Sequence, residues 1–181
     1  MRPRDSRRLV IDATVAQASS GTEAVFPTSK QCRDFLAAVL QVCHQVVMTS
    51  DIRQEWRKHR SRYARTWYLS MLAHKKVHDV EPQGNKALHS KIEGTVTRDR
   101  DLEALKKDLL LVDAALATDC SVVSLDDEVR RILSASAQRV GEIRRIVWVN
   151  PSNVDEDPIT WLGNGAKPQK TRSLGWRDEE S

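Results

Sequence analysis

Asp12, Glu55, Asp108 and Asp126 are the residues of this 181-residue chain whose types and settings could do chemistry together. Asp12 closes the apolar run Leu9, Val10, Ile11, and Asp126 follows the run Val122, Val123, Ser124, Leu125. A carboxylate flush against a buried apolar run is costly without a partner, so such an acid points to a ligand or a catalytic role. Carboxylates gathered in one place repel one another unless cations neutralise them. Hard oxygen donors suit Mg2+ or Mn2+, and a set without His or Cys argues against zinc. Cations held this way activate water and stabilise the charge that develops on a phosphodiester.

Each acid also has a competitor or a plainer explanation. Asp12 could simply end a strand. Glu55 is surrounded by Arg53, Arg57 and His59, as on a solvated helix face, and Asp51 lies one turn earlier. Asp108 competes with Asp113; five residues at about 100° each put the two about 140° apart on a helix, so one site is not expected to use both. Asp126 and Asp127 also read as an N-cap pair for the helix carrying Val129, Arg130 and Leu133. The expected division is Asp126 toward metal and Asp127 capping, or the two roles exchanged. His74 and His78 stand at i, i+4 with no third ligand beside them, which favours a solvated helix end.

The elements that must position these acids follow from short apolar runs alternating with helical periodicity. Strands are expected at Leu9 to Ile11, Gln45 to Thr49, Ser121 to Leu125 and Ile143 to Val149. Pro27, Thr28 and Ser29 offer a helix start, followed by Phe35, Leu36, Val39, Leu40 and Cys43 at helical spacing. Ser50 is expected to cap one helix running from Ile52 through Trp67 to Met71. The stretch from Lys75 to Lys91, with Pro82 and Gly84, reads as a loop, and a long helix carries Leu102, Leu105, Leu109, Val112 and Leu116. The alternation predicts an α/β fold, a three-layer α/β/α sandwich around a mostly parallel sheet, where ligands gather at the carboxyl ends of the strands.

The length suits one domain, assigned to residues 1–150, plus an extension, 151–181, whose prolines, glycines and charge predict an irregular, partly disordered segment with Trp161 and Trp176 as anchors. No apolar run reaches the roughly 18 residues of a membrane span, and Asp12 and Gln17 interrupt Leu9 to Ala18, so neither a membrane protein nor a signal peptide is expected despite Arg2, Arg4, Arg7 and Arg8. Cys32, Cys43 and Cys120 form no CxxC pair; they read as reduced, buried small hydrophobes in a cytoplasmic protein. The formal charge of +4 permits a polyanionic partner. Its distribution says more: Arg53, Arg57, Lys58, Arg60, Arg62, Arg65, Lys75 and Lys76 interleave with Trp56, Tyr63, Trp67 and Tyr68. Cations of this kind attract a phosphate backbone, with Arg57, Arg60 and Arg65 the chosen candidates, whereas the rings are expected in the core.

The ordered pieces LVIDATV (9–15), SDIRQEW (50–56), KDLLLVDAALATD (107–119) and VVSLDDEVR (122–130) resemble the acidic motifs of PIN domains, a nuclease fold found in VapC-type toxins and RNA-processing enzymes. The similarity spans about residues 8–150. It implies Asp12, Glu55, Asp108 and Asp126 as metal-binding acids, prefers Asp108 over Asp113, and gives Ser124 and Thr14 supporting places, Thr14 standing where many members carry Asn. It further implies a Mg2+- or Mn2+-dependent endoribonuclease that leaves a 5′-phosphate, RNA as partner, a homodimer, and a toxin-antitoxin setting in which the extension meets an antitoxin or other protein. Two other readings compete: a catalytically silent PIN-like module that binds nucleic acid or protein, and a phospho-accepting receiver domain.

Overall fold

The computed structural model describes residues 6–20 and 26–177; Arg2, Arg4, Gly21 and the last four residues of the extension lie outside them. Five short strands, β1 (Arg8–Ile11), β2 (Gln45–Met48), β3 (Val77–Asp79), β4 (Ser121–Val123) and β5 (Val147–Val149), form one all-parallel sheet in the order β3-β2-β1-β4-β5. Leu9, Val10, Ile11, Val46, Val47, Val122, Val123 and Trp148 are buried, the continuous apolar runs that a sheet covered on both faces requires.

The helices between the strands are α1 (Ala13–Ala18), α2 (Pro27–Gln41), α3 (Ser50–His59), α4 (Arg62–Ala73), α5 (Lys86–Glu93), α6 (Asp99–Leu116), α7 (Asp127–Ala137) and, after β5, α8 (Pro158–Gly163). From β1 the chain steps outward to β2 and β3, then crosses back to β4 and β5. Right-handed crossovers put α1 to α4 on one face and α5 to α7 on the other, in agreement with the packing of α2 on α4 and of α6 on α7. The result is a three-layer α/β/α sandwich. Because the winding reverses at β1, a crevice opens beyond the carboxyl ends of β1 and β4. No helix among the described residues is long and apolar enough to cross a membrane.

Several local expectations are corrected. Thr49, not Ser50, caps α3: its hydroxyl accepts from Ile52 N–H at 3.1 Å, while Ser50 N–H and Oγ donate to Glu81 at 2.7 and 2.6 Å. The single helix expected through Met71 breaks at Ser61, whose hydroxyl caps α4 by accepting from Ala64 N–H at 3.0 Å. Its own N–H goes to Ala16 C=O at 3.0 Å; a serine bonded this way offers the backbone an alternative to the helical ladder. The expected loop holds β3 and α5, the latter capped by Asn85 accepting from Leu88 N–H at 3.0 Å. All three cysteines are free, but only Cys32 is buried; Cys43 is exposed and Cys120 partly so.

The C-terminal segment is also more ordered than its composition predicts. Pro158 starts α8 from the first helical turn, where its missing N–H costs nothing. Trp161, Leu162, Ala166 and Leu174 join the hydrophobic core, and α8 packs on α2. Leu174 N–H donates to Ile146 C=O at 2.9 Å, and Trp161 Nε1 to Lys167 C=O at 2.9 Å. Glu156 accepts from Arg130 and from Asn150 N–H, and Arg172 donates to the Glu156 carbonyl, strapping the segment to α7 and the end of β5.

Candidate active site

Asp12 is the first residue past β1, and its N–H donates to Val123 C=O at 2.9 Å, so the ladder delivers it beside Ser124, the first residue past β4. It occupies the N-cap position of α1, yet its side chain caps nothing. Instead Oδ2 accepts from Thr14 Oγ1 at 2.6 Å and from Ser124 Oγ at 2.8 Å. The same two hydroxyls accept in turn from the next loop: Leu125 N–H reaches Thr14 Oγ1 at 3.4 Å, and Asp126 N–H reaches Ser124 Oγ at 3.1 Å. Two hydroxyls therefore hold the β1 end and the β4–α7 loop as one unit. At 8% exposure, Asp12 keeps its other oxygen for the crevice.

That crevice is a cleft of about 680 Å³. Asp12, Thr14, Glu55, Asp108 and Asp126 all line it, together with Gln17, His59 and Lys107. Asp126 serves twice: Oδ1 caps α7 by accepting from Val129 N–H at 2.8 Å, and the residue borders the cleft. The expected division of labour with Asp127 is thus corrected. Asp127 does not cap; it accepts from Asn150 Nδ2 at 2.9 Å and stands outside this cleft.

Asp108 reaches the cleft from α6 and stands partly buried. Burial, then the charges of Asp12 and Asp126, push its carboxyl up to about 7, with Lys107 opposing the shift. Asp113 faces elsewhere, as the helical angle requires: it accepts from His89 Nε2 at 2.9 Å if that nitrogen carries the proton, and it lines a small hollow with Asp51 and Glu81. Asp51, the competitor of Glu55, is therefore also removed from the acids of the cleft.

Glu55 is held differently. Trp56, 1% exposed, donates from Nε1 to Ile11 C=O at 2.9 Å and so fixes α3 against the end of β1. The Glu55 side chain itself is 41% exposed, accepts from Lys58 at 2.9 Å and lies 3.5 Å from His59. The Lys58 hydrogen bond is the main reason its carboxyl lies below the ordinary range. As they stand, no three His, Cys, Asp or Glu side chains among the described residues form a metal-holding group. The site is a ring of acids around a cleft, with Asp12 rigidly set and Glu55 on an open rim.

The rings of the basic region are core: Trp56 stacks on Trp67 with centroids 5.8 Å apart, and Tyr68 is buried beside them. Arg53 is engaged by Tyr68 and Asp79. Arg57 and Arg65 are exposed and Arg60 partly so; none of the three lines the cleft. Its lining instead includes Gln17, His59 and Lys107, which motif reading passed over. Helical spacing carried a signal for two of them, since His59 is four residues after Glu55 and Gln17 three after Thr14; Lys107 directly precedes Asp108, a separation that puts two side chains on different helix faces and so carried none. No known family and no curated protein matches the chain.

Proposed function

We propose that the protein is a divalent-metal-dependent ribonuclease of the PIN type, cutting RNA at the cleft where Asp12, Asp108 and Asp126 meet. The observation that carries this reading is the convergence of three acids from separate parts of the chain on the switch point of a parallel sheet, with no Lys or Arg paired to Asp12 or Asp126 among the described residues. A cleft rich in hard oxygen donors, with Lys107 at its lip, suits Mg2+ or Mn2+; Asp12, Asp108 and Asp126 would draw in to hold such an ion, with Glu55 closing the rim. Such an ion, when bound, supplies neutralising charge for the phosphate and a water more easily deprotonated.

The chain's own groups supply the rest. Thr14 and Ser124 hold Asp12 in one orientation. Without an ion, burial and the charges of Asp12 and Asp126 favour the protonated form of Asp108 up to about pH 7, which limits repulsion among the acids, and an ion bound there would displace that proton. Lys107 offers a cation at the lip of the cleft for a phosphate oxygen, and the exposed Arg57 and Arg65 with the partly exposed Arg60 extend positive charge beyond it. In this reading the chain acts in the cytoplasm as a homodimer, and the toxin, antitoxin and partner expectations remain part of the proposal.

The test is incubation of mixed RNA with the protein in Mg2+ or Mn2+, against chelator and against Asp12→Asn. Cleavage that needs the metal and falls at least about a hundredfold in the variant is expected, the loss typical when one electrostatic group of an active site is removed. Equal cutting by both proteins, or none by either, removes the reading. The silent binding module is favoured by one observation, the engagement of Glu55 with Lys58 and His59; it predicts RNA binding with no metal-dependent product.

A further inference from the structure

The acidic cleft continues past Asp126. A second hollow of about 450 Å³ is lined by Thr14, Gln17, Ala18, Leu125, Asp126 and Asp127, and three of these, Thr14, Gln17 and Asp126, also line the first. The two hollows therefore share a wall. Part of the polar wall of the second is already committed. Thr14 bonds Asp12 and Leu125 N–H, Asp126 Oδ1 caps α7, and Asp127 Oδ2 holds Asn150. Gln17 is exposed, and no described residue bonds its amide.

The hollow has the wrong charge for a second phosphate, since Asp126 and Asp127 face it. It has the right surface for a flat ring with a polar edge: Ala18 and Leu125 give half-buried apolar contact, and an amide sets a donor and an acceptor side by side, as base edges do. We infer that the second hollow is a nucleobase subsite, holding the unpaired base next to the scissile phosphate against Ala18 and Leu125 while the Gln17 amide reads its edge. The inference rests on the nuclease reading for the identity of the ligand as a nucleic acid strand. It requires that strand to be unpaired locally, because a duplex keeps its bases stacked inside.

The test measures binding of short fluorescent homopolymers of A, C, G and U to the full chain carrying Asp12→Asn, in Mg2+. The expected spread between best and worst homopolymer is about tenfold, within what a two-bond side-chain contact to a base supports. Adding Gln17→Leu, which keeps the bulk and removes the polar edge, should shrink that spread to about twofold, and Ala18→Trp, which fills the hollow, should weaken the best homopolymer most. Equal affinities for all four, or a spread that Gln17→Leu leaves intact, overturns the subsite. Base-selective binding that collapses in Gln17→Leu, from a protein whose native form does not cut RNA, keeps the subsite and removes the nuclease reading. Metal-dependent cutting with no preference for the base beside the cut removes the subsite and keeps the nuclease.

Discussion

At the amino end of the sheet, His44 is buried with both ring nitrogens in use, whereas at the carboxyl end Asp108 is partly buried with other acids for neighbours. His44 Nδ1 accepts from Arg7 N–H at 3.0 Å, and Nε2 lies 3.0 Å from Leu162 C=O, which fixes the neutral tautomer with the proton on Nε2. Nearby, Ser6 Oγ donates to Cys43 C=O at 2.7 Å, and Asp119 accepts from Arg8 N–H at 2.8 Å. Asp108 has burial and the charges of Asp12 and Asp126 set against its ionisation. Satisfied polar groups at one end secure the fold; at the other, Asp12, Asp108 and Asp126 crowd one cleft with Lys107 only partly offsetting their charge, and make it less stable than it could be. Such local costs concentrate where a ligand is handled.

The comparison breaks first if the amino end is not structural. That end is closed by the C-terminal segment, so truncation after Asn150 tests it most severely. The cut removes Trp161, Leu162, Ala166 and Leu174 from the core. Losing a buried Trp or Leu side chain typically costs about 2–5 kcal/mol each, and their sum rivals the roughly 5–15 kcal/mol that holds a whole domain together. The truncated chain is expected to show no cooperative thermal transition by circular dichroism. A sharp transition close to that of the full chain would show the segment to be dispensable.

The next effect is at the carboxyl end and has the opposite sign. The Asp108 carboxyl is raised from 3.8 to about 7 in the folded protein, so the native state binds more protons than the unfolded one. The stabilisation is fully present below the unfolded value and is lost as pH rises through about 7. At about 1.4 kcal/mol per pKa unit, the difference amounts to roughly 4 kcal/mol at most. Asp108→Asn, neutral at every pH, should therefore melt higher than the parent in chelator at pH 8 and lose the advantage toward pH 4. An unchanged gap across that range would mean that Asp108 does not carry the strain.

The fold was readable because its signal is local: Leu9 to Ile11 and the pair Val122, Val123 are apolar runs too short for helices, and β-branched Val and Ile predominate in them. The cleft acids were readable because each sits where such a run ends or on a strongly periodic helix. What escaped depends on partners distant in the chain. Nothing near Trp161 announces that His44 and α2 will cover its helix, so composition pointed to a disordered tail. Ser61 breaks a helix because Ala16 and Ser19 meet it from α1, and β3 is three residues long, with little apolar content to mark it. Asp126 and Asp127 are chemically alike in sequence; only the position of Asn150 separates their roles.

His44 gives the counterpart of the Asp108 titration. Burial first, then the charges of Lys76 and Arg7, lower its pKa below 6.5, with the Leu162 hydrogen bond opposing. The unfolded chain therefore takes up a proton that the native state resists, and stability present above 6.5 is lost as pH falls below it. His44→Ala should cost about 2–4 kcal/mol at pH 8, since Arg7 N–H and Leu162 C=O lose their partner. The variant should also show a weaker loss of melting temperature between pH 7 and pH 5 than the parent does. Equal acid sensitivity in both would place the titrating group elsewhere.

The smallest effect on the fold, and the sharpest separation of the two ends, comes from Arg57, Arg60 and Arg65. They lie on or just beyond α3 and α4 with no ion pair among the described residues, so changing all three to Ala removes charge and little packing. Exposed substitutions of this kind stay within about 0.5 kcal/mol, and the melting temperature is expected to hold. If these guanidinium groups meet the backbone of the RNA, each contact contributes about 0.7 to the salt slope of single-strand binding. The triple variant should then bind RNA more weakly at low salt, with a slope of log K against log salt shallower by up to about 2. Asp12→Asn, at the bottom of the cleft, should leave that slope close to the parent's, because it alters the acids and not the cations that displace counterions. A triple variant with unaltered affinity and slope would return the basic residues to a solvated helix face and leave Lys107 as the cation at the lip of the cleft.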